Sequence, residues 1–152
     1  MPEPQNSLPA ALRKTRTIWT FLLFSQFFYM ALGWRIIQRA QPIQRVESAT
    51  TGMARVALAV LMVSIITLAA ALYFHLKLVR SASQYLQTNP ADATAIANWY
   101  RGKSLSMLLA EGVSLLGFLF IFAGAPLNQA AVPYIIGTIA TFLFFPRNPA
   151  KV

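Results

Sequence analysis

Four blocks of apolar residues, separated by shorter polar segments, set the pattern of the chain. They run over about 18–34, 56–79, 105–123 and 127–145. A helix rises about 1.5 Å per residue, so roughly 20 apolar residues cross a hydrocarbon core of about 30 Å. The pattern therefore predicts an all-α fold, a polytopic transmembrane bundle of four helices occupying residues 18–145. A polar, basic tail (1–17) precedes it and a short basic tail (146–152) follows.

The joins between blocks carry their own signals. Arg13, Lys14 and Arg16 precede the first block, and Trp19 and Trp34 bracket it as interface-seeking indoles do. Ala31-Leu32-Gly33 has the small-x-small form of a signal-peptide cleavage site. The length and aromatic content of the block, its Gln26 and the Trp34-Arg35 that follows predict a retained span instead. Arg35 to Arg55 reads as a polar connection with Pro42 and Gly52, in which Arg35, Ile36, Ile37, Arg39 and Ile43 would form a short interfacial helix. Ser81 to Lys103 is polar again, and Asn89-Pro90-Ala91-Asp92 has the order of a helix start: Asn89 as N-cap, Pro90 first in the helix, an acid in the first turn. A single helix is expected from Pro90, past Trp99 and Tyr100 at the interface, into the third span, so that this helix extends into the cytoplasm. Gly124 and Pro126 supply its stop, Pro133 falls in or near the first turn of the fourth span, and Pro146 and Pro149 end that span.

Composition agrees with the block pattern. The chain is 57% hydrophobic and 11% charged, whereas a soluble domain is about half apolar and about a quarter charged. A net charge of +9 would suit nucleic acid, but the basic residues flank apolar blocks instead of lining a soluble face, so no nucleic-acid partner is expected. The partners implied are the lipid bilayer and other membrane subunits. The absence of cysteine excludes disulfides and thiol chemistry. With the N-terminus inside, Arg13, Lys14, Arg16, Lys77, Arg80, Arg101, Lys103, Arg147 and Lys151 share one side, and Arg35, Arg39, Arg45 and Arg55 the other. The positive-inside rule then places both termini in the cytoplasm. With no cysteine, transit peptide or long luminal domain, the expected location is the inner (cytoplasmic) membrane of a bacterium, as a multi-pass protein.

Glu111 carries the most chemical information. It lies about 10 Å inside the third span, where an isolated carboxylate costs about 2.5 kcal/mol or more. It must be protonated, paired or facing water. Ser104 and Ser114 share its helical face, and Gly112 and Gly117 allow a neighbouring helix close. His75 and Lys77 sit at similar depth on the antiparallel second span and are the expected partners. Gln26 lies at comparable depth in the first span, which suggests a duplicated two-helix unit. Glu111, His75, Lys77, Ser114 and Gln26 form the candidate intramembrane polar site. Gln26, Ser64, Thr67, Thr138 and Thr141 are mid-span polar residues, each expected to bond within its own helix before serving a pathway.

The segment from Leu109-Ala110-Glu111-Gly112 to Gly117 resembles the carboxylate-bearing helix of rotary ATP synthase proteolipid (c) subunits, which likewise follows a cytoplasmic loop and sets an acid among small residues. The resemblance covers about 20 residues and implies a proton-handling role for Glu111. The preceding span lacks the glycine repeat of that family. His75, the single histidine, has Tyr73 and Phe74 beside it and is a candidate tetrapyrrole ligand. No cofactor is required by the sequence; tetrapyrrole or quinone contact would arise only within a larger complex. There is no phosphate-binding loop, no carboxylate pair on one helix and no metal cluster. The expectation is a non-catalytic accessory or structural subunit of an energy-transducing membrane complex. The alternatives are a proton- or ion-translocating module using Glu111, and a small independent transporter.

Overall fold

A computed structural model describes residues 7–40, 50–123 and 125–149. Five α-helices follow in order: α1 (Leu8–Ala40), α2 (Thr50–Phe74), α3 (Ser81–Thr88), α4 (Ala93–Phe122) and α5 (Leu127–Leu143), with a π-helical turn (His75–Arg80) joining α2 to α3 without a break. No strand occurs among the described residues. Three stretches, Leu8–Ile36, Arg55–Thr88 and Ala93–Phe122, are long and apolar enough to cross a membrane, and α5 is a shorter apolar helix. Their apolar side chains point outward: Phe21, Phe24, Phe27 and Phe28 on α1, and Leu58, Met62 and Ile66 on α2. This is a helical membrane protein.

The helices outrun the apolar blocks. α1 begins at Leu8, so residues 8–17 are helix and not tail. Pro9 falls in the first turn, where its missing N–H has no partner to lose. At the other end α1 runs past Trp34 to Ala40, taking up the start of the supposed interfacial helix. The rest of that segment, with Pro42, Ile43 and Arg45, lies outside the described residues, as does the side chain of Arg39. The polar stretch from Ser81 is α3, a turn, and the start of α4. Asn89 does not cap α4: it ends α3, with φ −129° and ψ 70°, since a residue before proline is pushed out of the helical region. The N-cap is Asp92, whose carboxylate accepts from Ala95 N at 2.7 Å. From there α4 is a single helix to Phe122, with Ala123 as its C-cap. The proposed stop at Gly124 lies outside the described residues. α5 ends at Leu143, and Pro133 sits inside it, beyond its first turn.

α4 is the hub. It packs against α1, α2, α3 and α5, whereas among the described residues α1 and α2 make no close backbone approach to each other. Half of the apolar window of α4 is buried, against 17% for α1 and 11% for α2. Lipid tails are as apolar as leucine, so association in a membrane depends on close van der Waals fit and interhelical hydrogen bonds. The fit is tightest between α4 and α5. A Cβ on Gly117 would stand 2.6 Å from Tyr134 N, and one on Gly137 would stand 2.5 Å from Ser114 N. Three clusters of buried side chains succeed one another along α4. Trp99 anchors one, with Leu8, Ala11, Leu86 and Ile96; Met107 and Ala110 meet Leu22, Ala71 and Phe144 in the next; Phe120 meets Ala125 and Ala130 in the last. Trp99 is therefore the centre of a helical cap formed by α1, α3 and α4, not an indole at an interface; it is 1% exposed.

Candidate functional site

Glu111 is buried, and its carboxyl group faces α1. Ser25 Oγ donates to Glu111 Oε1 in a short hydrogen bond, and Gln26 Nε2 donates to Glu111 Oε2 at 2.7 Å. Both donors come from one turn of α1, which presents adjacent residues 25 and 26 to the same carboxyl group. The Ser25 hydroxyl also lies 2.7 Å from Leu22 O, so a single proton serves two acceptors.

Gln26 then links three helices. Its Nε2 donates to Thr141 Oγ1 of α5 at 3.1 Å, and Ser114 Oγ of α4 lies farther off at 3.4 Å. An amide nitrogen carries two protons, so the Glu111 and Thr141 bonds use them and the Ser114 contact is secondary. The Gln26 Oε1 is buried with no partner among the described residues. The Gln26 backbone carbonyl accepts from Tyr134 Oη at 2.7 Å, a second tie from α1 to α5. A third comes from Trp19 Nε1, which donates to Thr141 O at 3.1 Å while its ring meets Phe145 edge-on at 4.8 Å. Thr141 Oγ1 in turn donates to Gly137 O at 3.0 Å. Burial raises the cost of any polar group left unpaired, so the network fixes both the rotation and the height of α1 against α4 and α5.

The structure brings three of the five predicted site residues together: Glu111, Gln26 and Ser114. It does not bring His75 or Lys77 to Glu111. The His75 ring packs on Phe144, the C-cap of α5, at 5.0 Å, and its Nδ1 is buried without a hydrogen-bond partner among the described residues. Lys77 is exposed and its Nζ donates to Tyr73 Oη at 2.9 Å, one turn back on its own helix. The reason is helical phase. α4 meets α2 and the π turn through Gly102 and Ser106; Ser106 Oγ donates to Ala71 O at 3.0 Å, and a Cβ on Gly102 would lie 2.6 Å from Leu78 Cβ. Glu111 stands five residues beyond Ser106, about 140° further round the helix, on the side that receives α1.

Ser25, Tyr134 and Thr141 belong to the site although sequence reasoning did not place them there. Ser25 precedes Gln26 directly, and that adjacency was the available signal. Thr141 makes the local bond expected of it and also accepts from Gln26. Ser64, Thr67 and Thr138 bond to the carbonyls four residues back and stay outside the network. Ser104 was expected on the Glu111 face; its Oγ is buried and has no partner among the described residues. Comparison with protein-family models, with curated proteins and with solved structures finds no match, so the reading of this site rests on its own geometry.

Proposed function

We propose that the protein is a small, non-catalytic membrane subunit that seats a transmembrane helix of a larger membrane complex, with the Glu111 network as the clasp that holds the seat in shape. The observation that carries this reading is an uncovered strip on the hub helix. Leu108, Gly112 and Leu119 lie on one face of α4, roughly opposite the face that takes α5. Leu108 and Leu119 are about half exposed, and a Cβ on Gly112 would meet nothing within 4 Å. Among the described residues α1 and α2 make no close backbone approach to each other, and we read the strip as the floor of a slot between them. A glycine on such a floor lets another backbone come close. The side chains of Ser25, Gln26, Glu111 and Thr141 are meanwhile engaged with one another.

In this proposal four helices cross the bilayer, α5 with its 17 residues being the short one. The described ends of α1 and α5 lie at one end of the bundle, joined by the Trp19 contacts to Phe142 and Phe145. Arg13, Lys14, Arg16, Lys77, Arg80, Arg101, Lys103 and Arg147 flank the apolar blocks on that side in the sequence, and in this reading the positive-inside rule makes it the cytoplasmic face. Purification in mild detergent tests the seat. The wild type should co-purify with a stoichiometric membrane partner, and Gly112→Trp, which fills the slot, should lose that partner while keeping its own helical content. A chain that migrates alone under every mild condition removes the proposal.

A second reading, a proton-handling module of the proteolipid kind, is favoured by one observation: the buried, unpartnered Gln26 Oε1 beside the Glu111 carboxyl. Glu111→Gln preserves the shape of the clasp and abolishes the carboxyl proton. Loss of proton flux in reconstituted vesicles with unchanged stability would select this reading over the first.

A further inference from the structure

Beside the aromatic centre of the cap, α1 and α4 leave a groove of about 360 Å³ between them, inside the range of about 300–1,000 Å³ typical of small-molecule sites. Ala11 and Lys14 line it from α1, and Ile96, Ala97, Tyr100 and Arg101 from α4. The two helices run parallel and in step: Gln26 bonds to Glu111, 85 residues on, and Ala11 shares a cluster with Ile96 at the same separation. Lys14 therefore comes level with Trp99, and Arg101 lies two residues, about 3 Å, further along. Two cations thus border one hollow at one height. Their side chains are exposed, Ala11 and Ala97 are too small to fill the space between them, and the half-buried Tyr100 adds a phenol that can donate. Like charges held beside one concavity raise its potential and draw anions into it. The N-cap carboxylate of Asp92 lines another groove, with Lys77 and Tyr85.

The height of the groove identifies the class of anion. Lys14 precedes the apolar block of α1 by four residues, and Arg101 precedes that of α4 by four, so each stands about 6 Å outside the hydrocarbon. The headgroup layer on either side of a bilayer is about 5–7 Å deep, which brings both cations to the level of the lipid phosphates. We infer that Lys14 and Arg101 bind the phosphate of an anionic phospholipid from its two sides, with the Tyr100 hydroxyl donating to the same group. This site shares no residue with the Glu111 network or with the slot on α4.

The test uses the full chain in mild detergent, titrated with phosphatidylglycerol, phosphatidylcholine or inorganic phosphate, and read by native mass spectrometry together with the thermal unfolding midpoint. Phosphatidylglycerol should bind in preference to phosphatidylcholine and raise the midpoint. Lys14→Gln with Arg101→Gln should weaken it roughly 30-fold, at about fivefold per cation near a membrane surface. Ala97→Trp, which keeps both charges and fills the hollow, should weaken it too. Lys77→Gln with Arg80→Gln removes the same charge from the π turn and should bind as the wild type does. Equal binding of phosphatidylcholine, equal stabilisation by inorganic phosphate, or equal weakening in the two double variants would each overturn the site. So would selective binding that appears only in Glu3→Gln, since the groove would then belong to an acid of the chain itself. Should Lys14→Gln with Arg101→Gln fail to fold, Ala97→Trp decides alone: lost selectivity supports the site and unchanged selectivity removes it.

Discussion

Replacing Glu111 probes the clasp most directly, provided the readout isolates the interaction. Glu111→Ala removes the acceptors of Ser25 Oγ and Gln26 Nε2, but it also relieves the burial of a carboxyl group, so the net change in stability mixes two opposing effects. A double-mutant cycle with Gln26→Leu separates them. Gln26 keeps its second proton on Thr141 in either background that retains it, so the cycle reads the Gln26–Glu111 bond. Interhelical hydrogen bonds in membranes are worth about 0.6 kcal/mol on average and about 1.7 kcal/mol at most. A bond of 2.7 Å to a carboxyl oxygen belongs in the upper half of that range, so a coupling of about 1–1.7 kcal/mol is expected. The assay is reversible unfolding in mixed micelles, followed by circular dichroism. Glu111→Gln supplies the control: its carbonyl accepts from Gln26, its amide donates to Ser25 Oγ, and Ser25 turns its own proton to Leu22 O. Coupling within the ~0.3–0.5 kcal/mol expected of independent sites, or a Glu111→Gln variant no more coupled to Gln26 than Glu111→Ala, would refute the clasp.

Three further outcomes follow from the packing. Gly137→Ala drives a Cβ into the Ser114 backbone at 2.5 Å and should cost about 1–3 kcal/mol, whereas Gly112→Ala, facing open space, should stay within about 0.5 kcal/mol of wild type in the same unfolding assay. Trp99→Ala empties the centre of the cap and should destabilise it by about 3–5 kcal/mol, detected as rapid proteolysis at the α3–α4 turn while the bundle below stays protected. Asp92→Ala removes the N-cap of α4 at a cost of about 1 kcal/mol, and hydrogen exchange at the Ala95 amide should quicken without change at Met107.

The helices were legible in the sequence because hydrocarbon imposes one requirement, a long apolar run, and 56–79 and 105–123 meet it plainly. Their ends were not. Leu8, Ala11, Leu12 and Thr15 follow a helical spacing that gains meaning only when Trp99 and Leu86 are there to cover it. At Asn89-Pro90-Ala91-Asp92 two residues compete as N-cap. Pro90 and Ala91 form a turn in which Asp92 N donates to Asn89 O, so the helix starts at Ala93 and its free amide at Ala95 falls to Asp92. For the site, depth was readable and direction was not. Glu111 and Gln26 fall at matching heights by simple counting along two spans. Whether the acid turns to α1 or α2 depends on which face of α4 each helix occupies, and that was decided by Gly102 admitting the π turn and Ser106 reaching Ala71.

The unbroken helical stretch from Arg55 to Thr88 is 34 residues long, about 51 Å of rod against a hydrocarbon slab of about 30 Å. Some 20 Å of it must stand clear of the oil. α4 returns alongside it after a turn of only a few residues, and the start of α1 braces the pair around one indole. The overhang is therefore a braced helical cap, in which Leu8 and Ala11 of α1, Leu86 of α3 and Trp99 of α4 close one apolar cluster, and loosening any one of the three helices there would free the other two.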